Sequence, residues 1–115
     1  MRSSADDLDL TQAHAYALQP ADLAVLLGTV DTSLSASLSL LQEPADLSTL
    51  HRTLHDLKGY LGLVASSALC ERVQQADLLA REGQASTHEH VRMLIPRLKG
   101  LQRALQVYRA GIIGD

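Results

Sequence analysis

Ser33-Leu34-Ser35-Ala36-Ser37-Leu38-Ser39-Leu40 alternates small polar with mostly aliphatic side chains, and a period of two is the pattern of a half-buried strand. A wider window reverses that reading. Leu23, Leu26, Leu27, Val30, Leu34, Leu38 and Leu41 recur at steps of three and four, which puts them on one face of a helix. The helical period accounts for the whole stretch from Leu23 to Leu41, the alternation only for its later part, and nothing else in the chain reads as a partner strand. A helix is therefore expected here, and with it an all-α fold.

The composition agrees. A chain of 115 residues with 46% apolar and 20% charged residues is sized for one hydrophobic core, so 1–115 reads as a single domain with residues 1–5 as linker. Aromatic residues are 3% of the chain, with no Trp or Phe, which leaves Leu, Val, Ile and Ala to build the core, a vocabulary suited to helices packed on helices. The net charge of −3 and the lack of a basic block argue against nucleic acid as a partner. Cys70 is the single cysteine, so neither an intramolecular disulfide nor a cysteine-based zinc site is available. It is expected to be a small buried hydrophobe. No apolar run approaches the roughly 20 residues that span a bilayer, and Met1 to Asp7 does not resemble a signal peptide. The expectation is a cytoplasmic protein without direct membrane contact.

Punctuation divides the chain further. Residues 6–18 suggest a short helix, with a stop at Pro20. Pro-Ala-Asp-Leu occurs at Pro20–Leu23 and again at Pro44–Leu47, each time before a leucine-periodic segment. Both read as helix starts: proline suits the first helical position, and the aspartate complements the positive end of the macrodipole. Helices are thus expected from Pro20 to about Leu41, from Pro44 to Val64, and from a Ser66 or Ser67 cap to a stop at Gly83. The last should open on the Ser86…Glu89 capping box and bury Val91, Leu94, Ile95, Leu98, Leu101, Leu105 and Tyr108, with a kink at Pro96 and an end at Gly111. Four such helices with short connections predict an antiparallel four-helix bundle, the short N-terminal helix lying across one end.

Chemistry concentrates in His51-Arg52-Thr53-Leu54-His55-Asp56-Leu57-Lys58-Gly59-Tyr60-Leu61-Gly62. At about 100° per residue, Leu50, Leu54, Leu57, Leu61 and Val64 share one side, while His51, His55, Lys58, Gly59 and Gly62 share the other. An outward imidazole with a pKa near 6.5 carries a free lone pair at neutral pH and is a competent nucleophile for a phosphoryl group. Lys58 supplies a mobile positive charge for phosphoryl oxygens, and its solvent-facing position implies that truncating it leaves the fold intact. Gly59 and Gly62 each cost about 0.5–1 kcal/mol in a helix interior. Close approach of a partner protein would explain them, and so would close helix packing within the chain.

His55-Asp56-Leu57-Lys58-Gly59 resembles the His-x-Leu-Lys-Gly motif of histidine-containing phosphotransfer (HPt) domains, and the likeness extends from Leu47 to about Gly83 through Leu50, Leu54, Leu69, Val73, Ala76 and Arg81-Glu82-Gly83. The resemblance implies that His55 accepts a phosphoryl group from a receiver-domain aspartate and passes it to another receiver. Lys58 then lies beside the phosphate, and Gly59 makes room for the receiver. His51, His55, Lys58, Gly59 and Gly62 form the docking face. It implies a two-component phosphorelay intermediate without autonomous catalysis and without a cofactor of its own, partnered by response-regulator receivers and a cognate hybrid sensor kinase. Two positions depart from the family: Tyr60 replaces a small residue, and Ala65 stands where glycine is common. They bear on partner fit rather than on the nucleophile, and they keep in view a degenerate adaptor, or an unrelated helical interaction module, that binds without transfer. His51 and His55 at i,i+4 could pair on a metal, but Arg52 replaces the glutamate of a zincin helix and no third ligand is indicated, so no metal is expected. His14, His88 and His90 read as solvated residues.

Overall fold

The computed structural model describes residues 7–43 and 46–113. It is all-α: α1 (Thr11–Tyr16), α2 (Pro20–Gln42), α3 (Leu47–Leu61), α4 (Ser67–Arg81) and α5 (Thr87–Ile113). The helix α2 packs on α5 and α3, α3 on α4, α4 on α5, and α1 leans on α2. The shared core is aliphatic, from Leu27 and Leu34 of α2 through Leu54, Leu57 and Leu61 of α3 and Leu69 and Val73 of α4 to Leu98, Leu101 and Leu105 of α5.

The ambiguous serine-leucine stretch is helical throughout. Leu34, Leu38 and Leu41 point inward, whereas Leu40, which an alternating strand would have put with Leu34 and Leu38, is 47% exposed. By length and composition α2 could cross a membrane, contrary to the expectation that no apolar run in the chain approaches that length. Its row Leu23, Leu27, Val30, Leu34, Leu38 and Leu41 is instead buried within the protein.

Helix ends follow local hydrogen-bonding chemistry. Pro20 occupies the first turn of α2, with Asp22 beside it. The second Pro-Ala-Asp-Leu behaves differently: Pro44 and Ala45 lie outside the described residues, and Asp46 is the N-cap of α3, its Oδ1 accepting from Thr49 N–H at 2.8 Å. This bond holds the Asp46 carboxyl below its usual pKa. α3 ends at Leu61 rather than Val64, because residues 62–64 turn to carry the chain toward α4. Ser66 caps α4, its Oγ accepting from Leu69 N–H. Gly83 supplies the left-handed φ of 73° that follows α4. α5 runs without interruption through Pro96 and past Gly111 to Ile113, and Tyr108 is largely exposed rather than core.

The N-terminal segment corrects the expected helix over 6–18. Asp6 is outside the described residues, and α1 begins only at Thr11. Ahead of it the backbone is satisfied by the α3–α4 turn: Leu8 bridges Ala65, Asp9 N–H donates to Val64 O at 2.8 Å, and Ser66 N–H donates to Asp7 O at 2.8 Å. Asp7 is buried, and its carboxylate accepts from Arg97 of α5 at 2.7 and 3.2 Å and from Ser66 Oγ at 3.2 Å. A second polar seam joins α2 to α5, where Gln102 Nε2 donates to Asp31 Oδ1 at 2.7 Å and Arg109 Nε donates to Ala24 O at 2.8 Å. Gly28 leaves room for that arginine, since a Cβ there would meet its guanidinium at 2.9 Å.

Candidate functional site

Leucines on one side of α3 decide what stands on the other. With Leu50, Leu54, Leu57 and Leu61 buried, His55, Lys58, Gly59 and the C-cap Gly62 are exposed and His51 is half-buried. The five residues picked out by helical projection thus share the open side of α3. His55 makes no hydrogen bond to the described residues; its ring neighbour is His51, with centroids 6.3 Å apart and planes tilted by 44°.

Among the described residues the glycines have no packing role. A Cβ added at Gly59 or at Gly62 would meet nothing within 4 Å. Close contact between the described helices therefore does not account for either residue, and the surface beside His55 is kept low without any neighbour among the described residues that requires it.

Lys58 is not simply solvent-facing. Its Nζ donates to Asp77 Oδ2 of α4 at 2.9 Å, and Asp77 is 5% exposed. The other oxygen, Oδ1, has no hydrogen bond to the described residues, although His51 Nε2 stands 3.3 Å away, within ion-pair reach but without bonding geometry. The expectation that truncating Lys58 leaves the fold untouched is corrected by this pair, because truncation would strand a buried carboxylate. Sequence reading missed Asp77. A signal was present: the aspartate falls within the row Leu69, Val73, Ala76 and Ala80, all buried, where an ionisable residue needs a partner.

Tyr60 turns toward α2 and lines the groove that His55 and Gly59 also border. Its hydroxyl and Ser37 Oγ of α2 are 3.0 Å apart, and burial pushes the phenol pKa up. Ala65 is buried and holds the bridge to Leu8. Grooves flank the site on both sides. One of about 510 Å³ between α2 and α3 is lined by Ser33, Ala36, Leu40, His55 and Gly59. Another, of about 640 Å³, lies beyond Lys58 and Gly59 and is walled partly by Gln12 and Tyr16 of the α1 helix. Cys70 borders this second groove, half-buried rather than buried, with its thiol pKa raised chiefly by burial. His14 and His88 are exposed, and His90 is half-buried among Arg72, Met93 and Leu94. Among the described residues no group of three His, Cys, Asp or Glu side chains is arranged to hold a metal ion.

No family model, no curated protein and no solved structure matches the chain.

Proposed function

We propose that this chain is a phosphorelay intermediate of the HPt type, a cytoplasmic antiparallel four-helix bundle of α2 to α5 with α1 across one end. His55 accepts a phosphoryl group from the phosphoaspartate of one receiver domain and delivers it to another. The observation that carries the reading is an exposed imidazole, without a hydrogen bond to the described residues, flanked on one helix by a lysine and by two glycines that none of the described residues requires.

The chemistry asks little of this protein. A ring nitrogen of neutral His55 attacks phosphorus, the bond from phosphorus to the aspartyl oxygen breaks, and the receiver carboxylate leaves with the electron pair. The imidazole keeps its N–H, so no proton has to move. Catalysis of such transfers rests on in-line positioning and on neutralising the equatorial oxygens. Lys58 contributes to the second of these, and the receiver supplies the rest. The low surface at Gly59 and Gly62 lets the receiver's acidic pocket approach the ring, and the α2–α3 groove offers Leu40 and small side chains to its rim. Tied to Ser37, Tyr60 forms part of the wall of that groove. The natural partners are response-regulator receivers and a hybrid sensor kinase that carries one.

The test is transfer from receiver domains charged with acetyl phosphate. The expected product is an acid-labile, base-stable phosphate on the protein, absent in His55→Gln. Receiver binding without any such product would mark the degenerate adaptor instead, and neither binding nor transfer would leave an unrelated helical module.

A further inference from the structure

Asp77 Oδ1 is the buried side-chain oxygen that the described residues leave without a hydrogen bond. It lies on α4 behind the very lysine that stands one turn from His55 on α3. From this arrangement we infer that Asp77 is a positioning residue, setting through Lys58 how firmly a phosphoryl group is held on His55. The inference rests on the phosphorelay reading and deepens it.

The argument is electrostatic. An ammonium has three N–H donors, and one of those of Lys58 is committed to Asp77 Oδ2 at 2.9 Å. The lysine side chain is 36% exposed, so its outer side remains open, while the Asp77 side chain is only 7% exposed and its charge is weakly screened by water. The carboxylate behind the lysine therefore opposes part of the field that its ammonium presents on the open side of α3. A bare lysine beside a doubly charged phosphoryl group would favour its retention. An intermediate that must release the group as readily as it takes it is better served by a lysine whose charge is shared. His51 belongs to the same device: with Nε2 at 3.3 Å from Oδ1 it faces the carboxylate, which makes it more than a rim residue of the docking face.

The experiment needs no receiver. Phosphoramidate charges histidine directly: its P–N bond breaks, ammonia leaves, and a new P–N bond forms to the ring. The ratio of phospho-His55 to free His55 is read by mass spectrometry at fixed phosphoramidate and ammonia. Asp77→Asn should raise that ratio about tenfold, the order expected when one weakly screened charge is removed from behind Lys58. Lys58→Ala should lower it, and Lys58→Ala/Asp77→Asn should return it toward the wild-type value. A ratio unchanged or lowered by Asp77→Asn, or a Lys58→Ala defect that the second substitution does not rescue, overturns the inference. If Asp77→Asn alone does not fold, the comparison of Lys58→Ala with the double variant decides by the same rescue, since the double variant leaves no buried charge. An NMR signal of the Lys58 ammonium, restrained in the wild type and lost in Asp77→Asn, reports the pairing without any phosphate; the same signal in both proteins counts against it. Failure of the wild type to charge at His55 would remove the phosphorelay reading as well, whereas normal charging with an indifferent Asp77→Asn would remove this inference alone.

Discussion

At the scale of single residues, Lys58 and Gly59 behave in opposite ways when their side chains are changed. Lys58→Ala leaves the buried Asp77 carboxylate without its hydrogen-bonded cation, with His51 as its remaining neighbour, and should destabilise the fold by about 1–3 kcal/mol in chemical denaturation, discounted from a fully buried pair because the lysine is partly exposed. Removing both partners in Lys58→Ala/Asp77→Ala should recover much of that loss. Gly59→Ala meets open space on a helical backbone, so it should stabilise the fold by about 0.5–1 kcal/mol, whereas Gly59→Leu should fold normally and abolish phosphoryl transfer from a receiver. Equal transfer by Gly59→Leu and wild type would end the steric account of that glycine. The outward set of His55, Lys58 and Gly59 was legible in the sequence because helical projection is local: four leucines and Val64 fix one side and so define the other. The spacing along α4 marks Asp77 as an ionisable residue in a buried row, but its pairing with Lys58 depends on the register between α3 and α4, which spacing along one helix does not carry.

At the scale of elements, capping and proline chemistry separate what the sequence could and could not tell. Asp46 caps α3, the helix that carries the site, and its pKa is lowered by the bond from Thr49 N–H. A carboxylate whose folded pKa is depressed stabilises fully above its ordinary pKa of about 3.9, and that contribution fades as pH falls through the lower folded value. Thermal melts should therefore show Asp46→Ala below the wild type near neutrality, with the gap closing in acid; a gap independent of pH would mean that the cap is not what the substitution removes. Pro96 lies inside α5 on its exposed side and denies the helix one N–H. Pro96→Ala should raise stability by about 2 kcal/mol, and a neutral or negative result would show the ring to be used in packing. The alternating stretch of α2 was readable as helix because its period was sustained over many turns. α1 starts later than the sequence predicts because the backbone of Asp7 and Asp9 finds its hydrogen bonds on the distant turn between α3 and α4, while only the Asp9 side chain bonds locally, accepting from Thr11 N–H.

At the scale of the whole molecule, the Asp7–Arg97 pair fastens the first described residues onto the last helix. Its charge-assisted bonds hold the Arg97 pKa above its ordinary value. Arg97→Ala should leave Asp7 buried with a hydroxyl as its remaining side-chain partner and loosen the bridge beside Gly62. In hydrogen exchange, the amides of Asp9 and Ser66 should then open faster while those in the middle of α5 keep their protection. Uniform acceleration would instead indicate loss of global stability. The aliphatic core was legible almost residue by residue from the leucine spacing. This clamp was not, because neither residue belongs to a periodic row that would have paired them.

The bonds from α5 to α2 also have a kinetic side. Gln102 reaches Asp31 across 71 residues and Arg109 reaches Ala24 across 85, whereas α3 and α4 meet through a short turn. The hairpin that presents His55 can form early, from neighbours in the chain, while the long seam must wait for loop closure and its entropic cost. The residues that give the face its shape would then be organised before the ends of the chain are fastened, and damage to the seam would register mainly as faster unfolding.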